Sequence, residues 1–481
     1  MVRALRAETG EPKVPAIAAP FAGAAYRGLY VVLGAAIVAA TAFAPPDSAA
    51  LALARFTGAQ IARDHSIPLH LGAETFTAAG AYSGGLGWLG AFGTELLSRH
   101  GLASFATILA ALVAFALVEM RARRAAGRIF ALAAVALAAA CAPGSLGVAG
   151  GIVSAAFAAA VAYVLERPGP RATASATALT VLWCNVAPEG LLAPLIALCL
   201  AAEATFGGRS LAERRWARAA FAGTALATLA TPAFLAFPGL ALEALRIDRA
   251  LDGIVSLHPV DVAPIAYRVG FTLAVFAALA LGLQRGREGS IPLLVFAAML
   301  ALANGAFVVV FGVLVAPLLA GSAAAAFPRA ARLAGGSMRG DLAVAGGLIL
   351  LAVGLGAYAG ARPAPLPPGF ELAARLAADG VPHRLYCYNV DWCGQALAGA
   401  PAVRVFMDGR IAAYPDAVRE LQRDIVRLKG HWRKVLDDDR IDALLVRRDR
   451  PLATIVALSP AWHVVASDPS TVLYERAPVA R

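Results

Sequence analysis

The chain has 481 residues, 59% of them hydrophobic and 15% charged, with a formal net charge of +11. A soluble globular domain is nearer half apolar and a quarter charged, so that class is excluded. Five cysteines in this length exclude a disulfide scaffold.

Residues 1–25 carry Arg3, Arg6 and Lys13 among Pro and Ala and read as a basic cytoplasmic tail. The first apolar run, Gly28 to Ala44, is followed by runs at 101–120, 128–142, 145–165, 173–187, 189–205, 217–237, 264–284, 291–303, 305–327 and 341–361. About 20 apolar residues cross a bilayer core, so these runs predict a polytopic α-helical membrane protein of about 11 spans. Small residues dominate the runs and suit close helix–helix approach in lipid. Ala42-Phe43-Ala44 fits a signal-peptidase pattern, but an uncleaved first span is expected because more spans follow. Either way, the long polar stretch Pro45–His100 is expected outside the cytoplasm.

Threaded from a cytoplasmic N-terminus, the inner loops are 121–128, 166–171, 207–218, 284–288 and 328–339. Together with the N-terminal segment through Arg27 they hold 19 Lys and Arg, while the outer segments hold six: Arg55, Arg63, Arg99, Arg246, Arg249 and Arg268. That asymmetry follows the positive-inside rule and predicts a multi-pass protein of the cytoplasmic (inner) membrane. The basic excess then faces the inner leaflet, and no nucleic-acid partner is needed to explain it.

An odd span count puts the C-terminus outside. Residues 26–361 form the membrane domain, 362–369 a Pro-rich linker, and 370–481 a small extracytoplasmic α/β domain. In that tail, 370–380 reads as helix, and 383–390, 402–408, 441–448, 462–468 and 471–477 read as strands. Val418, Leu421, Ile425 and Leu428 share one face of a helix over 415–439. The last two strands, separated by a Pro-Ser turn, are expected to form a hairpin.

Several stretches resemble bacterial membrane proteins of the GT-C glycosyltransferase type. In the membrane part they are RFTGAQIARDHSIP (55–68), GWLG (87–90), LWCNVAPEGLL (182–192) and ATPAFLAFPG (230–239). In the tail they are NVDWCG (389–394), VFMDGRIAAYP (405–415), IDALLVRRDRPLA (441–453) and PAWHVVASDPSTVLYER (460–476). The resemblance implies inverting transfer of a sugar from a polyprenyl-phosphate donor to an envelope glycan or protein, on the outer face of the bilayer. A carboxylate near the end of the first span then takes the acceptor's proton or, in some families, helps hold a divalent metal. Asp47 stands three residues past the first run and is the catalytic candidate; in this chain it is followed by SAALALA rather than by aromatic residues and His.

The other polar residues of 45–100 are Asp64, His65, His70 and Glu74. Their spacing matches no metal motif, and a hydrated loop is the expectation. Leu86, Trp88, Leu89, Phe92, Leu96 and Leu97 mark an amphipathic helix, lying on the membrane surface or packed against the bundle. The outer loop 238–264 contains Arg246, Arg249 and His258. The two Arg, at i and i+3, offer forked donors for a lipid phosphate, or else pair with Asp248 and Asp252. Glu189 is expected at the interface or lining a cavity, and Asn304 in a turn. Cys387 and Cys393, in an oxidising compartment, are a candidate disulfide. A second reading of the whole chain is a non-catalytic membrane scaffold whose external domain binds a partner or polymer.

Overall fold

Alanine is the commonest residue in the buried core of the helical bundle. The computed structural model describes residues 18–44, 48–142, 145–147, 151–245, 272, 291–303, 307–328, 338–361, 372, 375, 376, 381–399 and 402–477. Asp47, Arg246, Arg249, His258 and Asn304, the run 264–284 and the linker 362–369 lie outside the described residues.

Ten helices lead the chain: α1 (Ala18–Phe43), α2 (Ser48–Asp64), α3 (Trp88–Arg99), α4 (Ala103–Ala126), α5 (Arg128–Ala140), α6 (Ile152–Leu165), α7 (Pro170–Val186), α8 (Leu192–Phe206), α9 (Leu211–Ala227) and α10 (Phe237–Leu245). Helices Ile291–Ala303, Val308–Ala326 and Met338–Ala361 follow. Val308–Ala326 is the centre of the bundle, buried on every side against α4, α5, α6 and Ile291–Ala303. Gly312 lets it approach α5, since a Cβ there would lie 2.8 Å from Cys141 Cβ. Ala111, Ala114, Ala134, Ala138, Ala155 and Ala159 fill the surrounding core, where a larger side chain would force the backbones apart.

Four helical segments are long and apolar enough to cross a membrane: Tyr26–Phe43, Ala103–Ala126, Pro188–Phe206 and Val308–Ala326. Several other runs read as spans are shorter apolar helices, among them Arg128–Ala140 and Ile152–Leu165. The run 217–237 is not one helix. It breaks after Ala227, and a turn carrying Pro232 leads into the 3-10 segment Phe234–Ala236 and then α10. Proline lacks the amide a continuing helix needs.

The two ends of the bundle differ in chemistry. At one end Arg121 Nε donates to Glu166 Oε1 at 2.7 Å, Arg124 lies 4.1 Å over the Tyr163 ring, and Arg209 Nη1 donates to the Glu166 carbonyl at 3.5 Å. Tyr26, early in α1, donates to Glu119 at 3.3 Å at this same end. Three basic loops, 121–128, 166–171 and 207–218, therefore converge there. At the other end Phe43 meets Tyr358 edge-on, with ring centroids 6.3 Å apart.

The C-terminal part is a five-stranded sheet in the order β2 (Arg404–Val405), β1 (Arg384–Cys387), β3 (Ala443–Arg447), β5 (Thr471–Arg476), β4 (Trp462–Ser467). Strands β1, β2 and β3 run parallel, while β5 is antiparallel to β3 and closes a hairpin with β4. Two helices absent from the sequence reading appear, Val390–Gly399 after β1 and Pro451–Ala457 after β3. The first supplies the crossover that the parallel neighbours β1 and β2 require, and the second carries the chain from β3 past β5 to β4. The helix expected over 415–439 is two, Asp416–Arg427 and Trp432–Asp438, parted where Leu428 takes a left-handed φ of 55°.

Candidate functional site at the domain end of the bundle

Residues 48–100 are not a hydrated loop. They begin with α2, a helix absent from the sequence reading. Gly58 lets α2 lie directly on α3, since a Cβ there would sit 2.4 Å from the Ala91 carbonyl oxygen. Glu95 of α3, 9% exposed, accepts from Arg55 Nε at 3.1 Å and from Arg99 Nε at 2.6 Å. The pair of helices is thus tied by a nearly buried carboxylate with two guanidinium partners.

Helix α3, foreseen from Trp88 onward, packs against α7. Trp88 Nε1 donates to Asn185 Oδ1 at 2.7 Å, and Asn185 Nδ2 donates to the Val181 and Ala230 carbonyls, both at 2.8 Å. Beside them Trp183 Nε1 donates to Ser154 Oγ at 3.2 Å, and Ser154 Oγ donates to Glu189 Oε2 at 3.4 Å. Glu189 lies in the 3-10 turn Pro188–Leu191 between α7 and α8. An ionisable residue so close to the apolar bundle marks a functional position by default.

Between α2 and α3, residues 70–82 fold back on themselves, with Leu71 N–H donating to the Ala81 carbonyl and Gly80 N–H to the Leu71 carbonyl, both at 2.8 Å. The tip then joins the C-terminal sheet. Thr75 pairs in parallel with Val405; Val405 N–H donates to the Glu74 carbonyl at 2.8 Å and Phe76 N–H to the Val405 carbonyl at 3.2 Å. Thr77 Oγ1 donates to the Phe406 carbonyl. Leu71 and Ala78 are buried in one core with Tyr386, Phe406 and Tyr414.

Glu74, expected in a hydrated loop, instead accepts from Arg410 Nη2 at 2.9 Å, and the same nitrogen donates to the fully buried Asp408 at 2.6 Å. Burial works against the Arg410 charge, but the Asp408, Tyr414 and Glu74 groups around it hold the guanidinium even more firmly protonated than usual. The short stretch Asp408-Gly409-Arg410 after β2 carries the side chains that form this network. His70 bridges to Tyr82, their rings 5.4 Å apart, so His70 and Glu74 do not converge on a metal. Among the described residues, no three His, Cys, Asp or Glu side chains gather as a metal would require.

The tail grips the membrane part at two more places. Helix Val390–Gly399 lies on α2, where a Cβ on Gly394 would meet Leu53 Cβ at 3.3 Å and Phe56 packs into the tail's core. Cys387 and Cys393, both buried, are joined by a disulfide with Cα atoms 5.7 Å apart, which ties this helix to β1. Arg419 pairs with Glu243 of α10. The tail and residues 48–100 therefore stand on the same side of the bundle, at the end opposite the basic loops.

Of the residues singled out from the sequence, the described structure brings together Cys387 and Cys393, and it places Glu74 with Arg410. Sequence reasoning missed Arg410, Asp408 and Arg419, which had no local signal beyond their charge.

No protein-family model and no curated protein matches the chain. Among solved structures, it is similar to the Archaeoglobus fulgidus oligosaccharyltransferase, solved as a complex with Zn and sulfate, at 12% identity and a TM-score of 0.53, covering 87% of this chain and 67% of that one. ArnT from Cupriavidus metallidurans bound to undecaprenyl phosphate aligns at 14% identity over 93% of this chain and 98% of that one, with a TM-score of 0.45. The fold of this chain is that of the GT-C-type membrane glycosyltransferases.

Proposed function

We propose that the chain is an integral membrane glycosyltransferase that moves a sugar from a polyprenyl-phosphate donor to an envelope acceptor on the outer face of the inner membrane. The observation that carries this reading is the placement of 48–100 against the C-terminal domain, opposite the basic end, in a chain with a GT-C-type fold. The positive-inside rule makes the basic end cytoplasmic and the domain end extracytoplasmic. An odd number of crossings, 11 in our count, satisfies that placement.

The stretch 45–100 contains four carboxylates: Asp47, Asp64, Glu74 and Glu95. Three of them are engaged with cations: Asp64 with Arg63, Glu74 with Arg410, and Glu95 with Arg55 and Arg99. Asp47, just before the start of α2 in sequence, is assigned as the general base. The acceptor hydroxyl attacks the anomeric carbon and gives its proton to Asp47 as the new C–O bond forms. The anomeric carbon–oxygen bond to phosphate breaks with inversion, and the lipid phosphate leaves with the electron pair. Arg246 and Arg249, with His258, are assigned to that phosphate, where forked guanidinium donors are well suited.

The test is transfer from a panel of polyprenyl-phosphate sugars by the purified chain in proteoliposomes, with envelope extract as acceptor and released polyprenyl phosphate as readout. Asp47→Asn should abolish release, since loss of a general base costs about 10²–10⁴-fold. Undiminished release would remove Asp47 from the scheme. A wild-type chain inert with every donor, yet retained on envelope polymer through residues 370–481, would favour the scaffold reading instead.

A further inference from the structure

Two arginines of the C-terminal domain reach back to membrane-proximal segments far earlier in the chain. Arg410 engages Glu74 across 336 residues and Arg419 engages Glu243 across 176. Both guanidinium groups are largely enclosed, at 15% and 12% side-chain exposure. Each has a second carboxylate from its own domain, Asp408 for Arg410 and Asp416 for Arg419. The domain thus presents two pre-paired cations, each completed by an acid from the membrane part.

The two acids lie on different segments. Glu74 sits in the connection that follows α2, and Glu243 sits in the last turn of α10. Helix α2 touches α3 and the helix Val390–Gly399, while α10 rests on the turns Pro188–Leu191 and Ile411–Ala413. The C-terminal domain touches both helices, and the stretch leading into α3 also meets α10, where a Cβ on Gly84 would lie 2.6 Å from Leu240. Its turn Ile411–Ala413 lies one residue past Arg410, so the α10 contact and the Glu74 contact share one stretch of backbone.

We infer that Arg419 and Arg410 are positioning residues, through which the C-terminal domain holds α2 and α10 at a set spacing across the outer end of the bundle. Neither side chain needs to touch substrate. Their role rests on the glycosyltransferase reading to this extent: α2 and α10 are the helices that adjoin, in sequence, the segments carrying Asp47 and Arg246. A shift of about 1 Å in such a spacing can cost on the order of 10²-fold in rate.

The experiment uses the full chain in proteoliposomes and two readouts. In hydrogen exchange, Arg419→Ala should speed exchange of the α10 amides about tenfold or more, as expected when a local opening loses its tie. The amides of α4, which Arg419 does not touch, should stay as in wild type. In sugar transfer, the same variant should lower kcat about tenfold or more and raise KM for the polyprenyl-phosphate donor, because α10 leads directly into Arg246. The charge swap Glu243→Arg with Arg419→Glu should restore both, which a general folding defect would not allow. Wild-type exchange in α10, or a failed swap, overturns the inference. So does wild-type kcat in Arg419→Ala. If the wild-type chain transfers no sugar, the glycosyltransferase reading falls and the exchange result alone decides whether the domain sets α10.

Discussion

Arg410 and Glu74 lie 336 residues apart in sequence and 2.9 Å apart in space, with Asp408 closing the triad from the other side of the guanidinium. Removing one member of a buried ion cluster leaves its partners charged and unpaired, at a cost of about 3–5 kcal/mol. Arg410 is nearly rather than wholly enclosed, so the lower end of that range applies. Arg410→Ala should lower the thermal midpoint of the purified chain and expose 70–82 to limited proteolysis. A triple variant that also carries Glu74→Gln and Asp408→Asn should recover part of the loss, because the uncompensated charges are gone.

Two glycines on α3 make opposite predictions. A Cβ at Gly90 would sit 2.2 Å from the Val186 carbonyl oxygen, a backbone atom that cannot swing aside, whereas nothing lies within 4 Å of a Cβ at Gly93. Gly90→Ala should therefore destabilise by about 1–3 kcal/mol through forced separation of α3 and α7. Gly93→Ala should stabilise by about 0.5–1 kcal/mol, since alanine loses less backbone entropy in a helix. Thermal midpoints of the two variants on the same detergent-solubilised chain should move in opposite directions.

The disulfide Cys387–Cys393 closes a loop with a sequence separation of 6. Restricting so short a loop in the unfolded chain is worth about 2 kcal/mol. Replacing both cysteines by serine should cost at least that, since two hydroxyls would then be buried. Denaturant unfolding followed by the tail's tryptophans, Trp392, Trp432 and Trp462, would read the change.

Asp468 governs the turn between β4 and β5. Burial pushes its carboxyl up, but the Thr471 hydroxyl, the Ser470 and Thr471 amides and the Ser470 hydroxyl all donate to it and bring the net value down to about 2. A folded value below the unfolded one of about 3.9 means that this stabilisation is present above that pH. It is lost as pH falls through about 2. The melting difference between wild type and Asp468→Ala should be constant above about pH 5 and shrink steadily toward pH 2. A difference that does not change with pH would show that the hydroxyl and amide donors do not depend on the carboxylate charge.

The apolar runs, the basic loops and the change of composition before the tail were legible because each is a local property. A run of apolar residues must leave water whatever lies elsewhere in the chain, and Arg121, Arg124, Arg209 and their neighbours mark one end of the described hairpins by charge alone. Strands β1, β3, β4 and β5 were legible for the same reason. Helix α2 was missed because SAALALARFTGAQIARD is only weakly apolar and begins after two prolines. Helices Val390–Gly399 and Pro451–Ala457 were missed because each is short and follows a strand without a strong break.

What the sequence by itself determined is the polytopic membrane class, the basic loops and the α/β make-up of the tail, since hydropathy, charge and periodicity act over a few residues at a time. Tertiary structure alone decided that Glu74 is a partner of Arg410 rather than a solvated acid, that residues 74–77 extend the tail's sheet beside β2, and that Arg419 reaches α10. Those contacts join groups 176 or more residues apart. A charged side chain carries no mark of its partner, and the pairing exists only once packing of the bundle and the sheet has brought both out of water together.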